Sequence, residues 1–500
     1  MVNNSRKMTG IFSRWLGASL LVLALAGNLS GQSISNEQLF GVQGYSVFER
    51  GYPFGVMSGP NGRFFLLEYW IEGKEGRPAT NYYLQNYGNR DYVEHWFRPI
   101  TEPGDAPMVP VKMMRTRECA VIIGRQFREE EKETHTVARF FSFDGTPTTT
   151  LPVQLSTYSK LPKRFTENFS LSPQRKRLMW MGVGEASFFF SVWDERGKKV
   201  WDKELTLPYV KDKYLIRQVE VTDRGDLIML VLPVTPLGVP RERSPLLILR
   251  YRYEKETFET YDWPLEKEAV PLMMNMVLEG NTVYVSGSIS QPEANGFFNQ
   301  MNLGKNDPGR PMTHIVFRKL DEMEDGLLKA TATTYLPVPV NWVANYQQNG
   351  AHFKEARLVT TKDHVILMME EVFVEKDRFF YYDIACVSFH PETGKVNWNQ
   401  LVPKKQRDKQ SGAFLSYVHG VARGKLRLVY LTERGASGNV YCSSIDLDDG
   451  KLREKILSSN ETDLYLFFPE KSSMVSDYEM VLLGMGNPNQ NDFKLFTVIF

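Results

Sequence analysis

Residues 187–208, SFFFSVWDERGKKVWDKELTLP, decide the fold. They read as an apolar strand, a tight turn at Asp194-Glu195-Arg196-Gly197, and a second strand that carries Trp201. Short apolar runs bounded by Gly, Asp and Asn are the signature of hairpins. Working outward in both directions, the same kind of element recurs along the chain. A unit of four strands, a to d from innermost to outermost, accounts for it.

The a–b hairpin appears at 56–70, 111–127, 168–183, 217–232, 274–289, 355–370, 416–431 and 472–486. In each, a moderately apolar strand meets a polar turn and then a nearly continuous apolar run, as expected when both faces of a strand are covered. The c–d hairpin appears at 80–97, 136–155, 187–208, 246–263, 314–336, 382–401 and 439–457. The eighth unit therefore lacks its outer strand, and only 493–500 follows its a–b hairpin. The strand-like run at 39–49 has no earlier partner and would complete that unit. The expectation is an all-β, eight-bladed propeller closed by its N-terminal strand, a ring that leaves no long edge bare; seven blades is the alternative.

Composition excludes some roles. Lys+Arg 60 against Asp+Glu 59 gives a net charge of +1, which argues against nucleic-acid binding. The three cysteines, Cys119, Cys386 and Cys442, contain no CxxC pair, which argues against a cysteine-rich zinc site. At the N-terminus, Arg6, Lys7 and Arg14 precede or flank the apolar run WLGASLLVLALA at 15–26. That run is shorter than the about 20 residues a spanning helix needs. Ala24-Leu25-Ala26 has the small-x-small form of a cleavage site, and a second possible cut follows Gly31. A signal peptide over 1–31, cleaved between 26 and 31, and one propeller domain over 32–500 are expected. The mature protein is then periplasmic or extracellular, without a membrane span.

The turn Glu392-Thr393-Gly394-Lys395, followed by Trp398, resembles the tryptophan-docking repeat of pyrroloquinoline-quinone-type propellers, in which a Thr-Gly turn precedes a Trp packed between blades. Gly197 with Trp201, and the Asp448-Asp449-Gly450 turn, are partial echoes. The resemblance implies an eight-bladed ring. Quinoprotein enzymes of that kind carry adjacent cysteines at the cofactor, and no two cysteines are adjacent here, so no quinone and no other cofactor is expected.

Catalytic motifs are missing. None of the seven histidines has HxH or HExxH spacing, and no metal is expected. No GxSxG and no Walker loop occurs. The acidic run Glu129-Glu130-Glu131 reads as a solvated loop. Two groups of residues remain as candidates. Lys112, Glu167, Arg217, Glu355, Arg357 and His419 lie on inner strands and are expected to line the channel, where interblade salt bridges compete with ligand binding as their role. The long connections 233–245, 291–312 and 337–350 all fall in b–c or d–a positions and so project from one side of the ring. They contain Phe297, Phe298, Trp342, Asn345 and Tyr346 as candidate ligand-binding residues, or as anchors that pin the connections to the ring.

The resulting expectation is an exported, monomeric, non-enzymatic binding or scaffold protein of the bacterial envelope or exterior, with a glycan, peptide or protein partner on the loop face. The alternative is a glycan-active enzyme or degenerate quinoprotein with its site at the channel mouth.

Overall fold

Strand b of each unit is buried on both faces while strand d is buried on one, and this gradient is the reason the units become radial blades. In the second blade, Cys119–Gly124 are all buried. In the third, strand d (Lys199–Leu205) buries only Trp201 and Leu205. The computed structural model describes residues 40–45, 51–72, 79–88, 93–101, 105–149, 151–158, 167–183, 188–208, 214–233, 245–266, 269–291, 312–339, 342, 353–375, 378–408, 412–432, 440–458, 466–485 and 493–500. The expected signal peptide lies outside them. Gly41–Ile499 form one unit of the chain. Among the described residues no helix is long and apolar enough to cross a membrane.

Eight antiparallel sheets follow one another along the chain. Blades 1 to 7 span 51–99, 108–158, 167–205, 214–263, 270–337, 353–408 and 417–458, each running a-b-c-d from the inside outward. Blade 8 is built from both ends of the unit. Phe493–Ile499 is its strand c, and Phe40–Tyr45 pairs with that strand as strand d. The eight blades and their closure are therefore as the repeat pattern predicts.

Two blades depart from four strands. Blade 6 adds a short fifth strand, Gln406–Asp408, which pairs with the start of strand c at Phe379–Tyr381. In blade 8 the inner position is shared by Leu466–Phe467 and Ser473–Ser476, with the 3₁₀ turn Pro469–Lys471 between them.

The core is a series of slabs between neighbouring blades. Phe190, Val192 and Trp201 of blade 3 pack with Val219, Met229 and Leu249 of blade 4. At the closing seam, Val56, Phe64 and Leu66 of blade 1 pack with Val481, Leu483 and Leu495 of blade 8. Strand-d tryptophans lock blade to blade. Trp96, Trp201 and Trp398 donate their indole N–H to Phe143 O (3.0 Å), Gly225 O (3.0 Å) and Leu447 O (2.7 Å) of the next blade. Gly450 (φ +71°) lies so close to Trp398 that an added Cβ would sit 2.6 Å from it. Only glycine fits that turn.

The inner strands share a further device. In blades 1, 2, 4, 5, 6 and 8 the a–b register slips by one residue, leaving Phe54, Val111, Arg217, Leu272, Lys354 and Val475 unmatched. In three of them the preceding residue is a proline, Pro53, Pro110 or Pro271. Proline has no N–H to give to a ladder and is tolerated at bulges. A bulge re-aims the side chain it carries. All three cysteines are buried and none is in a disulfide. Burial pushes the Cys119 thiol up to about 12 and raises that of Cys386, so neither is a thiolate at neutral pH.

Candidate functional site

The channel is lined by a belt of polar side chains that passes from blade to blade. Lys112 Nζ (blade 2) donates to Phe169 O (blade 3) at 3.3 Å and stands 5.8 Å from the Phe169 ring centre. Ser170 Oγ donates to Glu220 of blade 4. Gln218 Nε2 donates to Glu220 Oε1 (2.6 Å) and to Met276 O of blade 5 (2.7 Å), while its Oε1 accepts from Met276 N (2.9 Å). Asn275 Nδ2 donates to Ala356 O of blade 6 (2.6 Å). The Arg357 guanidinium lies 4.9 Å from the Tyr417 ring centre of blade 7, and His419 is next to that ring edge-on.

Burial, with Arg357 close by, holds His419 down at about 4, so it is neutral at physiological pH. Burial also raises the Glu220 carboxyl, against the pull of Ser170, Gln218 and Lys112. Lys112 is pushed down by desolvation, and Glu220 offsets only part of that.

The six channel candidates thus have distinct placements. Lys112, Arg357 and His419 belong to the belt. Arg217 is the exposed bulge residue beside Gln218. Glu167 turns toward blade 2, where Arg125 (3.1 Å) and Thr136 (2.6 Å) engage it, while Trp180 of its own blade donates to it at 3.0 Å, so its role is an interblade tie. Glu355 is on strand a of blade 6, opposite Glu370, and its side chain is outside the described residues.

On the loop face, Phe297, Phe298, Asn345 and Tyr346 also lie outside the described residues. Trp342 is described and wholly buried, in the slab between blades 5 and 6 with Phe317, Phe353 and Leu367. Its ring offers no face to a ligand. Of the two roles open to the loop aromatics, Trp342 has that of the anchor.

Sequence reasoning missed a cluster at the same end of blade 1. Trp70, Tyr83 and Phe97, from strands b, c and d, pack with ring centres 4.6–5.3 Å apart and are half-buried. Glu68 lies beside them, 2% exposed. Its Oε1 accepts from Trp70 Nε1 and from Gln85 Nε2, both at 2.5 Å, and Tyr87 OH donates on to Gln85 Oε1 at 2.5 Å. Glu68 Oε2 is buried without a hydrogen-bond partner. Burial pushes this carboxyl up to about 7; the Trp70 and Gln85 hydrogen bonds oppose the rise and Glu94 adds to it. No linear motif encodes such a cluster, because the strand register brings its members together.

The raised value has a consequence for stability. A carboxyl whose folded value lies above its unfolded value of about 4.5 favours folding while protonated. That contribution is lost as pH rises from about 4.5 through 7. At 1.36 kcal/mol per unit the loss is roughly 3 kcal/mol. We expect the melting temperature to fall between pH 5 and pH 8, and Glu68→Gln to flatten that fall and to melt higher than the parent at pH 8. Parallel melting profiles for parent and variant would show that Glu68 is not the group.

One group of possible metal ligands occurs among the described residues: Glu131, Glu133 and His135, with donor atoms within 4.8 Å of one another. Glu131 is already engaged by Arg128 (3.2 Å) and His135 (3.0 Å). The run Glu129–Glu131 is an exposed turn, as its composition implies.

No family profile and no curated protein sequence matches this chain. Solved propeller structures do. The Dos1 propeller is 8% identical, with a TM-score of 0.44 over 92% of this chain and 95% of that one. The WD40 domain of SCAP from fission yeast is 10% identical, with a TM-score of 0.42 over 95% and 97%. Prolyl oligopeptidase B from Galerina marginata is 9% identical, with a TM-score of 0.39 over 90% of this chain and 56% of its own. At such identities the likeness concerns the fold and says nothing of activity.

Proposed function

We propose that this propeller is a non-enzymatic binding or scaffold protein that holds a peptide, protein or glycan partner on the face carrying its b–c and d–a connections. The observation that carries this reading is where apolar side chains are left in water. Ile71, Val109, Val111, Phe127 and Leu215 are 42–55% exposed and all lie at that end of blades 1, 2 and 4. The Trp70–Tyr83–Phe97 cluster lies at the same end of blade 1. Exposed large hydrophobics near the opposite end, Val93, Leu151, Met323 and Leu327, are confined to c–d connections. Grouped exposed apolar surface marks interaction sites, whereas scattered residues are ordinary. The three long connections between strands b and c of blades 4 and 5, and between blades 5 and 6, leave from the same side.

Binding is favoured over glycan hydrolysis because the described channel carboxylates are engaged: Glu167 by Arg125, and Glu220 by Ser170 and Gln218. The docked tryptophans support a repeat built like those of quinone-type propellers, without the quinone. The near-neutral charge supports a partner other than nucleic acid. Export to the periplasm or beyond, as a monomer, completes the reading; N-terminal sequencing of cell-derived protein that finds Met1 intact would overturn export.

The face is tested by screening the protein on peptide and glycan arrays, then measuring affinity for the hits. Trp70→Ala and Phe127→Asp are expected to weaken binding at least tenfold. Leu151→Asp and Leu327→Asp, at the other end, are expected to leave it unchanged. The opposite pattern, or equal affinities throughout, would overturn the assignment.

A further inference from the structure

The tight turn between strands b and c of blade 2 brings three metal-ligating side chains to one point. Glu133 and His135 stand two apart at the start of strand c (Glu133–Ser142), and alternation puts both on the same face of it. Lys132, at φ +54°, reverses the chain before them, and Glu131 meets the same imidazole from the turn. Glu131 Oε2 lies 3.0 Å from His135 Nε2, and Glu133 Oε2 lies 3.8 Å from that nitrogen. One donor atom from each of the three lies within 4.8 Å of the others. Two donors each about 2.1 Å from one ion stand roughly 3.0–3.8 Å apart when they subtend about 90–130° at it. That range contains both the octahedral and the tetrahedral angle.

Burial differs among the three as an open metal site requires. The His135 side chain is 3% exposed, which fixes one donor nitrogen, while Glu131 and Glu133 are 47% and 33% exposed, which gives an ion a path from solvent. Nε2 carries at most one proton, and Glu131 is the nearer acceptor. The Glu133 carboxylate comes no closer than 3.8 Å to that nitrogen, beyond hydrogen-bond range. Two carboxylates thus converge on a single N–H, and their charge is only partly answered. Arg128 engages Glu131 through Oε1 at 3.2 Å, so Oε2 stays on the imidazole side. An exposed pair of that kind is weak and holds its carboxylate loosely.

We propose that Glu131, Glu133 and His135 form a binding site for a divalent transition-metal ion of the zinc class. One imidazole with two carboxylates suits Zn²⁺, whereas Ca²⁺ and Mg²⁺ prefer shells made of oxygen alone. Three protein donors leave at least one position for water. Only one histidine takes part, so neither HxH nor HExxH spacing announces the site. The inference is independent of the macromolecular partner proposed above.

Calorimetric titration of tag-free protein with zinc chloride, in a non-chelating buffer at pH 7.5, tests it, with calcium and magnesium chloride in parallel. The parent is expected to take up one Zn²⁺ saturably and to bind Ca²⁺ and Mg²⁺ at least tenfold more weakly. Glu131→Gln, Glu133→Gln and His135→Ala are each expected to weaken zinc binding at least tenfold. Glu129→Gln, in the same turn but outside the group, is expected to bind as the parent does. Circular dichroism checks that each variant is folded, and the two carboxylate variants keep the test open should the buried histidine variant fail to fold. No saturable uptake of zinc, parent affinity in the folded carboxylate variants, an equal loss in Glu129→Gln, or tighter binding of Ca²⁺ or Mg²⁺ would overturn the proposal.

Discussion

Lys404→Met is expected to lower stability by about 3–5 kcal/mol, the cost of leaving one charge of a buried pair uncompensated. Lys404 Nζ lies 2.5 Å from Glu370 Oε1, and both side chains are completely buried. Lys404 also donates to Gln406 Oε1 (2.6 Å) and stands 5.7 Å from the Tyr381 ring centre. Glu370 Oε2 accepts from Ser416 Oγ (2.5 Å), and Gln406 Nε2 donates to Leu431 O of blade 7 (2.6 Å). The network fastens the connection between blades 6 and 7, with its extra strand, to both neighbours. Desolvation makes such a pair a poor source of net stability, so removing both charges is a different experiment from removing one. The double variant Lys404→Met/Glu370→Leu is expected to recover most of the loss in urea melts. A single variant within about 1 kcal/mol of the parent would show that water reaches the pair.

The contrast between this pair and the blades shows what a linear sequence carries. The repeat was legible because its signals are local. Asp194 to Gly197 and Asp223 to Gly225 announce turns, with Gly197 at φ +89° and Gly225 at φ +101°, and the runs beside them are apolar enough for two covered faces. Ring closure was legible by counting, since one outer strand was missing at one end and one was spare at the other. The site was much less legible. Glu68 and Gln85 meet because register sets Tyr83 opposite Glu68. Lys404 reaches Glu370 across 34 residues. The belt was partly foreseen, because Lys112, Arg357 and His419 are polar residues on apolar inner strands. Its amide members, Gln218 and Asn275, were missed. The bulges left one signal that was not read, a proline at matching positions in Pro53, Pro110 and Pro271.

Deletion of residues 493–500 is expected to unfold or aggregate the protein. Phe493–Ile499 sits between strand b of blade 8 and the N-terminal strand Phe40–Tyr45. On one side it forms a continuous register from Glu479↔Ile499 to Met485↔Phe493. Leu495, Phe496 and Val498 are buried in it. Each is worth about 1.5–3 kcal/mol, so the three together contribute about 5–9 kcal/mol. Net stabilities are about 5–15 kcal/mol, so the loss approaches the whole. It also leaves strand b with a bare edge and the N-terminal strand without its neighbour, a template for pairing between chains. The seam with blade 1 loses Leu495 from the slab it shares with Phe64 and Leu66. Gel filtration and thermal melting of the truncated chain decide the matter: a soluble monomer with the parent's melting temperature would mean that this strand does not close the ring.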